Sequence, residues 1–240
     1  MEKKVLIVYA HQSAGSFSAA AKEAAVEVLK SKDCSVNVSD LYAMKFKATA
    51  TAEDITGEVK NSEHFRYAEE TKLAWDEGRL SADITEEQRK LQEADLVIFQ
   101  FPMYWFTVPA VLKGWFDRVL TLGFAYTKEK RYSNGIFKKT KALLSFTTGS
   151  EETMFSPTGI NGDMNVTLWP LQNGILHYCG FQVLAPQIFW AQRMPLQRVA
   201  VQCWLPGTPD CRVCWMRSPS SLPPWTGSTV RRASSSSLKV

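Results

Sequence analysis

Short, continuous runs of apolar residues mark the strands that the sequence predicts. Residues 5–9 form one such run, and residues 94–101 form another that ends at Pro102. Runs of this length, rich in β-branched residues, are typical of strands buried on both faces of a sheet. The pattern predicts further strands at a shorter segment around Val36 and Val38, at 141–147 and at 181–188.

Helical patterns alternate with these strands. Residues 17–31 are rich in helix-forming Ala, Glu and Lys. A second helix is expected over about 108–121, with Pro109 in its first turn, where a missing N–H costs nothing. A third is expected over about 165–179. Thr85 and Gln88 match a capping box, so the charged insertion between the second and third strands should also be helical.

This alternation predicts an α/β fold, an open, parallel, five-stranded sheet with helices on both faces. A chain of 240 residues with 45% hydrophobic content can bury one full core, so we expect a single domain over 1–191. Residues 192–240 are rich in proline and serine, and they show neither the two-residue period of a strand nor the 3.6-residue period of a helix. They are predicted to form an irregular or disordered tail.

Composition narrows the range of functions. No apolar run approaches the roughly 18 residues of a membrane helix, and the first residues lead straight into a strand, so we expect a cytoplasmic protein without membrane contact. Five cysteines are too few and too unevenly placed for a disulfide scaffold. The formal charge of +4 comes from the basic segment 192–240, so it does not indicate a nucleic-acid partner.

Three loops follow the strands whose carboxyl ends should form a ligand site, where the strand order reverses. The hydroxyl-rich loop 11–18 enters a helix and could hold a phosphate, or it could be an ordinary turn capped by Ser16. It matches neither a G-x-G-x-x-G nor a Walker pattern. The second loop, 102–109, carries three consecutive aromatic residues that could wall a flat ligand or pack in the core. The third, 147–150, contains Gly149, and together the three loops describe a flavin site.

Several of these segments resemble the NAD(P)H:quinone reductases called DT-diaphorases. The likeness runs from residue 3 to about residue 191 and is carried by the following segments: 4–12, 94–102, 105–106, 112–116, 147–149 and 162–166. The resemblance implies a flavodoxin-like fold, a bound FAD and a homodimer. It also implies that quinones are reduced by two electrons from NAD(P)H in a ping-pong cycle of hydride transfer.

The resemblance also implies site residues. The FAD contacts fall on His11, Phe17, Ser18, Ala19, Ala20, Met103, Tyr104, Trp105, Phe106, Thr147, Thr148, Gly149, Ser150 and Phe155. The substrate contacts fall on Trp105, Phe106, Tyr126 and Tyr178, and the catalytic positions on Gly149, Phe155 and Asn161. Gly149 should leave room for stacking.

This chain departs from the family at positions that matter for chemistry. The better-known branch carries Tyr and His where this chain has Phe155 and Asn161, and neither of these can exchange protons. An Asn at this position resembles the sister branch that prefers dihydronicotinamide riboside. That branch binds a metal through two His and a Cys, whereas the corresponding stretch here has Asn173 and His177. We therefore predict no metal, and the Cys203, Cys211 and Cys214 set is likewise a poor zinc motif.

Two other functions remain open at this point. The chain could be a catalytically weak flavin-binding or interaction protein that keeps the fold. It could also be an FMN-dependent, azoreductase-like enzyme. The segment 192–240 matches none of the family's C-terminal pattern, so its effect on dimerisation and FAD retention stays open.

Overall fold

The structure is a computed structural model that describes residues 2–191. The predicted tail lies outside the described residues, so its prediction stays untested. The strands are β1 (Lys3–Tyr9), β2 (Cys34–Asp40), β3 (Leu96–Pro102), β4 (Lys141–Thr148), β5 (Gln182–Val183) and β6 (Gln187–Trp190). The α-helices are α1 (Phe17–Lys30), α2 (Tyr67–Asp76), α3 (Ala82–Glu93), α4 (Ala110–Val119) and α5 (Met164–Trp169). The π-helix Pro170–His177 continues α5, and short 3-10 helices span Ala52–Asp54, Tyr132–Asn134 and Glu152–Phe155.

All strand pairs of the sheet are parallel, in the order β2-β1-β3-β4-β5, with β6 also paired to β4. The predicted parallel sheet with five positions is thus confirmed. The predicted last strand is divided in two, because β5 pairs with the start of β4 and β6 pairs with its end. Pro186 lies in the break, and it has no N–H for a ladder bond. Strand β2 is as long as β1, not shorter as expected.

The strand order reverses between β1 and β3, which lie side by side although they are far apart in sequence. Chain segments leave these two strands in opposite directions across the sheet, so a crevice opens beyond their carboxyl ends. The loops after β1 and β3 flank that crevice, and the loop after β4 lies next to them. The three loops predicted to carry the ligand site therefore lie at the switch point of this sheet.

The sheet separates two buried layers. Val5 and Ile7 of β1 pack in the layer of α1, whereas Leu6 and Val8 pack in the layer that holds Trp115 of α4. This alternation follows from the two-residue period of a strand, and it explains why residues 5–9 of β1 form a continuous apolar run. Within residues 2–191, no helix is both long and apolar enough to cross a bilayer.

Two local predictions about helix starts are wrong. Thr85 does not cap a helix: it lies inside α3, and its N–H donates to the carbonyl of Ser81 over 3.0 Å. Gln88 donates to the carbonyl of Val119 over 2.9 Å, so its role is to join α3 to α4. Pro109 is the residue before α4 and not part of its first turn, which keeps its fixed φ outside the helix.

The insertion holds α4 in place through buried charges. Arg118 of α4 is fully buried and donates to Asp54 over 2.9 Å and to Asp83 over 2.6 Å. Trp115 of α4 donates from Nε1 to Glu87 over 2.8 Å. Because α4 directly follows the loop after β3, these contacts also fix the end of that loop.

Candidate active site

The loop after β3 ends in a tight turn that exposes two aromatic side chains. Tyr104 and Thr107 exchange two N–H···O bonds of 3.0 Å, which leaves Trp105 and Phe106 as the two turn residues. Their φ angles are 48° and 63°. This left-handed conformation suits Gly or Asn and costs a bulky residue about 1–2 kcal/mol. Trp105 is 94% exposed, so packing in this chain does not repay the strain, and strain of this kind is characteristic of ligand sites.

The loop after β1 presents the start of α1 and a neutral histidine. Ser16 accepts a hydrogen bond from the N–H of Ala19 over 3.1 Å, which confirms it as the cap of α1. The Nδ1 atom of His11 accepts from the N–H of Ser13 over 2.9 Å, so the imidazole proton belongs on Nε2. Burial lowers the pKa of His11, which outweighs the opposing effect of that hydrogen bond. His11 therefore offers an Nε2–H donor while uncharged.

Hydrogen bonds join the three loops to one another. The Tyr104 hydroxyl donates to Oε1 of Gln12 over 3.2 Å, which links the first and second loops. The N–H of Met103 donates to the carbonyl of Thr147 over 2.8 Å, which links the second and third. Thr148 accepts from the N–H of Ser150 over 3.1 Å. The predicted loops thus form one continuous rim.

Aromatic residues continue from this rim toward β6. Phe106 lies 5.8 Å from Phe155 between ring centroids, and Phe155 lies 5.7 Å from Trp190. The ring of Phe17 lies 4.9 Å from that of Phe189. Phe189 and Trp190 are not among the predicted site residues, because the sequence pattern ends the last strand at residue 188. Two aromatic residues directly after a predicted buried strand were the available signal.

All three predicted catalytic positions lie on the loop between β4 and α5. A Cβ atom added to Gly149 would meet nothing within 4 Å, so this position faces open space. The N–H of Asn161 donates to the carbonyl of Met154 over 2.9 Å, which closes the segment that carries buried Phe155. Phe155 therefore adjoins the aromatic turn, and Gly149 and Asn161 lie on the same loop as Phe155.

Tyr126 and Tyr178 form a separate cluster. Their ring centroids lie 5.3 Å apart, and Tyr132 packs against Tyr178 at 5.2 Å. Tyr178 comes just before β5, which pairs with the start of β4, whereas Gly149 follows the end of β4. Within one chain, this tyrosine pair therefore lies toward the amino ends of the strands, whereas the aromatic turn lies beyond their carboxyl ends.

His177 and Asn173 contact each other in the stretch that corresponds to the metal site of the sister branch. His177 Nδ1 lies 3.2 Å from Oδ1 of Asn173, and the ring of Tyr132 packs against His177. Within residues 2–191, no three His, Cys, Asp or Glu side chains are grouped to hold a metal. The cysteines at 203, 211 and 214 lie outside the described residues.

The residues of the rim fit a flavin. Its aromatic members match the flat ring system, and the free space at Gly149 admits the ring edge. The start of α1 supplies the N–H groups and positive dipole that phosphate oxygens need. These features would suit a flavin at the switch point of the parallel sheet.

The chain matches the family model Flavodoxin_2, described as a flavodoxin-like fold, over residues 3–201. It therefore belongs to this family, and the predicted flavodoxin-like fold is confirmed. This family membership, together with the quinone-dependent relatives described next, implies a flavin cofactor.

The similar proteins confirm the resemblance found in the sequence. NAD(P)H dehydrogenase [quinone] 1 of Rattus norvegicus is 58% identical over 189 residues, which cover 79% of this chain and 69% of that protein. Ribosyldihydronicotinamide dehydrogenase [quinone] of Pongo abelii is 57% identical over 189 residues, which cover 79% of this chain and 82% of that protein. A solved structure from Klebsiella pneumoniae, described as a candidate quinone reductase, is 38% identical and has a TM-score of 0.83. The match covers 93% of this chain and 87% of that one.

Proposed function

We propose that this chain is a cytoplasmic, homodimeric NAD(P)H:quinone oxidoreductase that uses FAD. The observation that carries the proposal is the strained turn at Trp105 and Phe106, which exposes two aromatic rings at the switch point. The relatives that are more than half identical to the chain are named as quinone-dependent dehydrogenases, which supports the same reaction. Quinones are flat, so one aromatic pocket can serve nicotinamide and acceptor in turn, as a ping-pong cycle requires.

Each part of the rim has a role in this proposal. A bound flavin would supply the ability to accept a hydride and pass it on. Trp105 and Phe106 hold the flat ring, and Gly149 leaves space for the partner that stacks on it. The start of α1 would receive the phosphates at the positive end of the helix dipole, and His11 would donate from Nε2 without adding charge.

Proton transfer at this site does not use the two positions that the better-known branch uses. Phe155 has no exchangeable proton, and the amide of Asn161 does not titrate. Asn161 can still donate a hydrogen bond to a carbonyl on which negative charge develops. This difference makes dihydronicotinamide riboside a donor to compare with NADH and NADPH.

A second copy of the chain would complete the substrate pocket. Within one chain, Tyr126 and Tyr178 lie at the other end of the strands from Trp105. Burial raises the pKa of Tyr126, so it stays a neutral, flat wall at physiological pH. We propose that the homodimer brings this tyrosine pair to the rim of its partner.

Two measurements on the purified protein test the proposal. A visible flavin spectrum, followed by chromatography of the flavin released on heating, distinguishes FAD from FMN. Oxidation of NADH, NADPH and dihydronicotinamide riboside is then followed with menadione as acceptor. We expect FAD and menadione-dependent turnover that Trp105→Ala reduces. Released FMN would support the azoreductase-like alternative, and FAD without turnover would support the catalytically weak flavin protein.

A further inference from the structure

A row of buried polar side chains crosses the sheet near its carboxyl edge. The strand register aligns Tyr9, Gln100, Ser145 and Gln187 on β1, β3, β4 and β6. Residues two positions earlier on three of these strands pack in the layer of α1: they are Ile7, Ile98 and Leu143. Because side chains two apart share a face of a strand, the polar row faces α1.

The row lies under the first turn of α1. The hydroxyl of Tyr9 is 3.4 Å from the hydroxyl of Ser16, the cap of that helix. Ser18 is 1% exposed and lies on the same helical face as buried Ala21 and Ala25, which pack against the sheet. Ser18 therefore faces the polar row.

Two polar groups in this layer have no partner. The Oε1 atom of Gln100 accepts from the Ser145 hydroxyl over 2.6 Å, whereas its Nε2 atom has no partner among the described residues. The same is true of Ser18 Oγ. Turning the amide over would exchange its two ends but still leave one end unpaired. Each unpaired buried group costs about 1–3 kcal/mol, so two in one layer require an explanation.

We infer that one buried water molecule bridges Ser18 Oγ and the free end of the Gln100 amide. A water molecule both donates and accepts, so it can pair with a hydroxyl and with either end of an amide. The resulting chain of hydrogen bonds runs from Ser145 on β4 through Gln100 on β3 to the first turn of α1. It connects the two central strands to the helix start.

This link gives Gln100 a positioning role. That consequence rests on the proposed function, in which the first turn of α1 receives the cofactor phosphates. N–H groups that are held in place before binding lose less freedom on binding. Gln100 does not touch the cofactor in this account; it acts through the water and Ser18.

A double-mutant cycle on the flavin-free protein tests the water without assuming the function. Ser18→Ala, Gln100→Met and the double variant are unfolded in urea. Either substitution removes one partner of the same water, so the second substitution should cost less stability once the first has been made. The unfolding constant of the double variant should therefore be at least about threefold smaller than the value obtained by multiplying the two single effects. The helix propensity of Ala cancels in the cycle. A crystal structure should show the water within hydrogen-bond distance of Ser18 Oγ and the Gln100 amide.

Gln172 provides the matched control. It is also fully buried with an unpaired amide, but its neighbours Leu171 and Leu176 pack in the other layer. Ser18→Ala and Gln172→Met should therefore be additive. Additive effects of Ser18→Ala and Gln100→Met, or a dry space in the crystal, would overturn the water.

Flavin titration of the same variants tests the positioning role separately. Gln100→Met should weaken FAD binding about threefold or more, and Gln172→Met should not. Unchanged binding by Gln100→Met would overturn the positioning role. If the wild-type protein binds no flavin, the proposed function fails, while the cycle and the crystal structure still decide the water.

Discussion

The hydroxyl of Tyr104 donates to Oε1 of Gln12 over 3.2 Å, and this bond joins the loop after β1 to the loop after β3. Those loops leave neighbouring strands at the switch point in opposite directions. The contact therefore spans the crevice in which the proposed flavin lies. It connects the helix start that would bind phosphate with the turn that would bind the ring.

Removal of this bond should weaken cofactor binding moderately. A net hydrogen bond contributes about 0.5–1.5 kcal/mol, so Tyr104→Phe should lower flavin affinity about two- to tenfold, as measured by quenching of flavin fluorescence. Gln12→Ala should have a similar effect. The double variant should be no weaker than the weaker single variant, whereas multiplied effects would mean that the two side chains act separately.

The strained turn at Trp105 separates binding from stability. Trp105→Ala should weaken flavin or acceptor binding about ten- to a hundredfold, because stacking of a flat ring on an aromatic side chain contributes about 1–3 kcal/mol. Trp105→Gly should lose the same binding. Since Gly adopts a φ of 48° without strain and Ala does not, the flavin-free Gly variant should be about 1 kcal/mol more stable than the Ala variant.

Equal stability of these two variants in urea would mean that the left-handed turn stores no strain. An unchanged flavin affinity together with an unchanged acceptor KM in Trp105→Ala would contradict the stacking role. Trp105→Phe is the matched control for ring loss, and it should keep most of the affinity.

Gly149 should be important for binding and not for folding. Its Cβ position faces open space, so Gly149→Val should leave the thermal midpoint of the flavin-free protein nearly unchanged. The same substitution should obstruct the stacked substrate and raise the acceptor KM at least about tenfold. Gly114→Ala is the control, because its Cβ would overlap the carbonyl of Ala48 and should destabilise the fold. An unaffected KM in Gly149→Val would place the substrate elsewhere.

The buried pair of Asp54 and Arg118 should dominate acid stability. Burial by itself raises the pKa of Asp54, but hydrogen bonds from Arg118 and Tyr67 outweigh it and hold the pKa below its ordinary value. A lowered folded pKa stabilises the protein above the unfolded value of about 3.9, and this stability is lost as the pH falls through the folded pKa. Asp54→Asn should cost about 3–5 kcal/mol at pH 7 and flatten the pH dependence of stability below about pH 4.

Asp117 is the matched control for this measurement. It lies on the same helix as Arg118 and pairs with Lys113 over 2.7 Å, but both side chains are about half exposed. Asp117→Asn should therefore change the free energy of unfolding by less than about 1 kcal/mol. Similar losses for both variants in urea would show that burial does not strengthen the pair.

Local patterns were sufficient for the elements whose burial is uniform. The apolar run of β1, the cap at Ser16 and the three loops were predicted from the sequence and are where the structure places them. The capping box at Thr85 failed because the same pattern occurs inside a helix, and only the contact of Gln88 with α4 explains it. Sequence patterns alone do not show which residues lie together in three dimensions.

The site itself was predicted less completely, for a physical reason. Trp105 and Phe106 disfavour a left-handed turn, so no propensity indicates the geometry that exposes them. The aromatic identity of the loop was visible, but its strain was not. The assignment of Tyr126 and Tyr178 to one pocket with Trp105 stays a prediction, because within one chain this tyrosine pair lies at the other end of the strands from Trp105.

Restoring titratable groups at Phe155 and Asn161 should accelerate flavin reduction. Phe155 is buried, and its ring centroid lies 5.8 Å from that of Phe106. Asn161 is on the same loop and donates its N–H to the carbonyl of Met154. If hydride transfer leaves negative charge at a flavin carbonyl, a protonated imidazole supported by a Tyr hydroxyl stabilises it better than an amide. Phe155→Tyr with Asn161→His should speed reduction by NADH at least about tenfold in stopped flow.

The pH dependence distinguishes a proton role from a packing role. Histidine has an ordinary pKa of about 6.5, so the acceleration should be larger at pH 6 than at pH 8. In the parent chain, Asn161 does not titrate and should therefore add no pH dependence to the rate of flavin reduction. Phe155→Tyr alone is the control for an added hydroxyl, and it should give little of the gain. No acceleration, or the same acceleration at both pH values, would show that the Tyr and His relay of the better-known branch does not work on this chain.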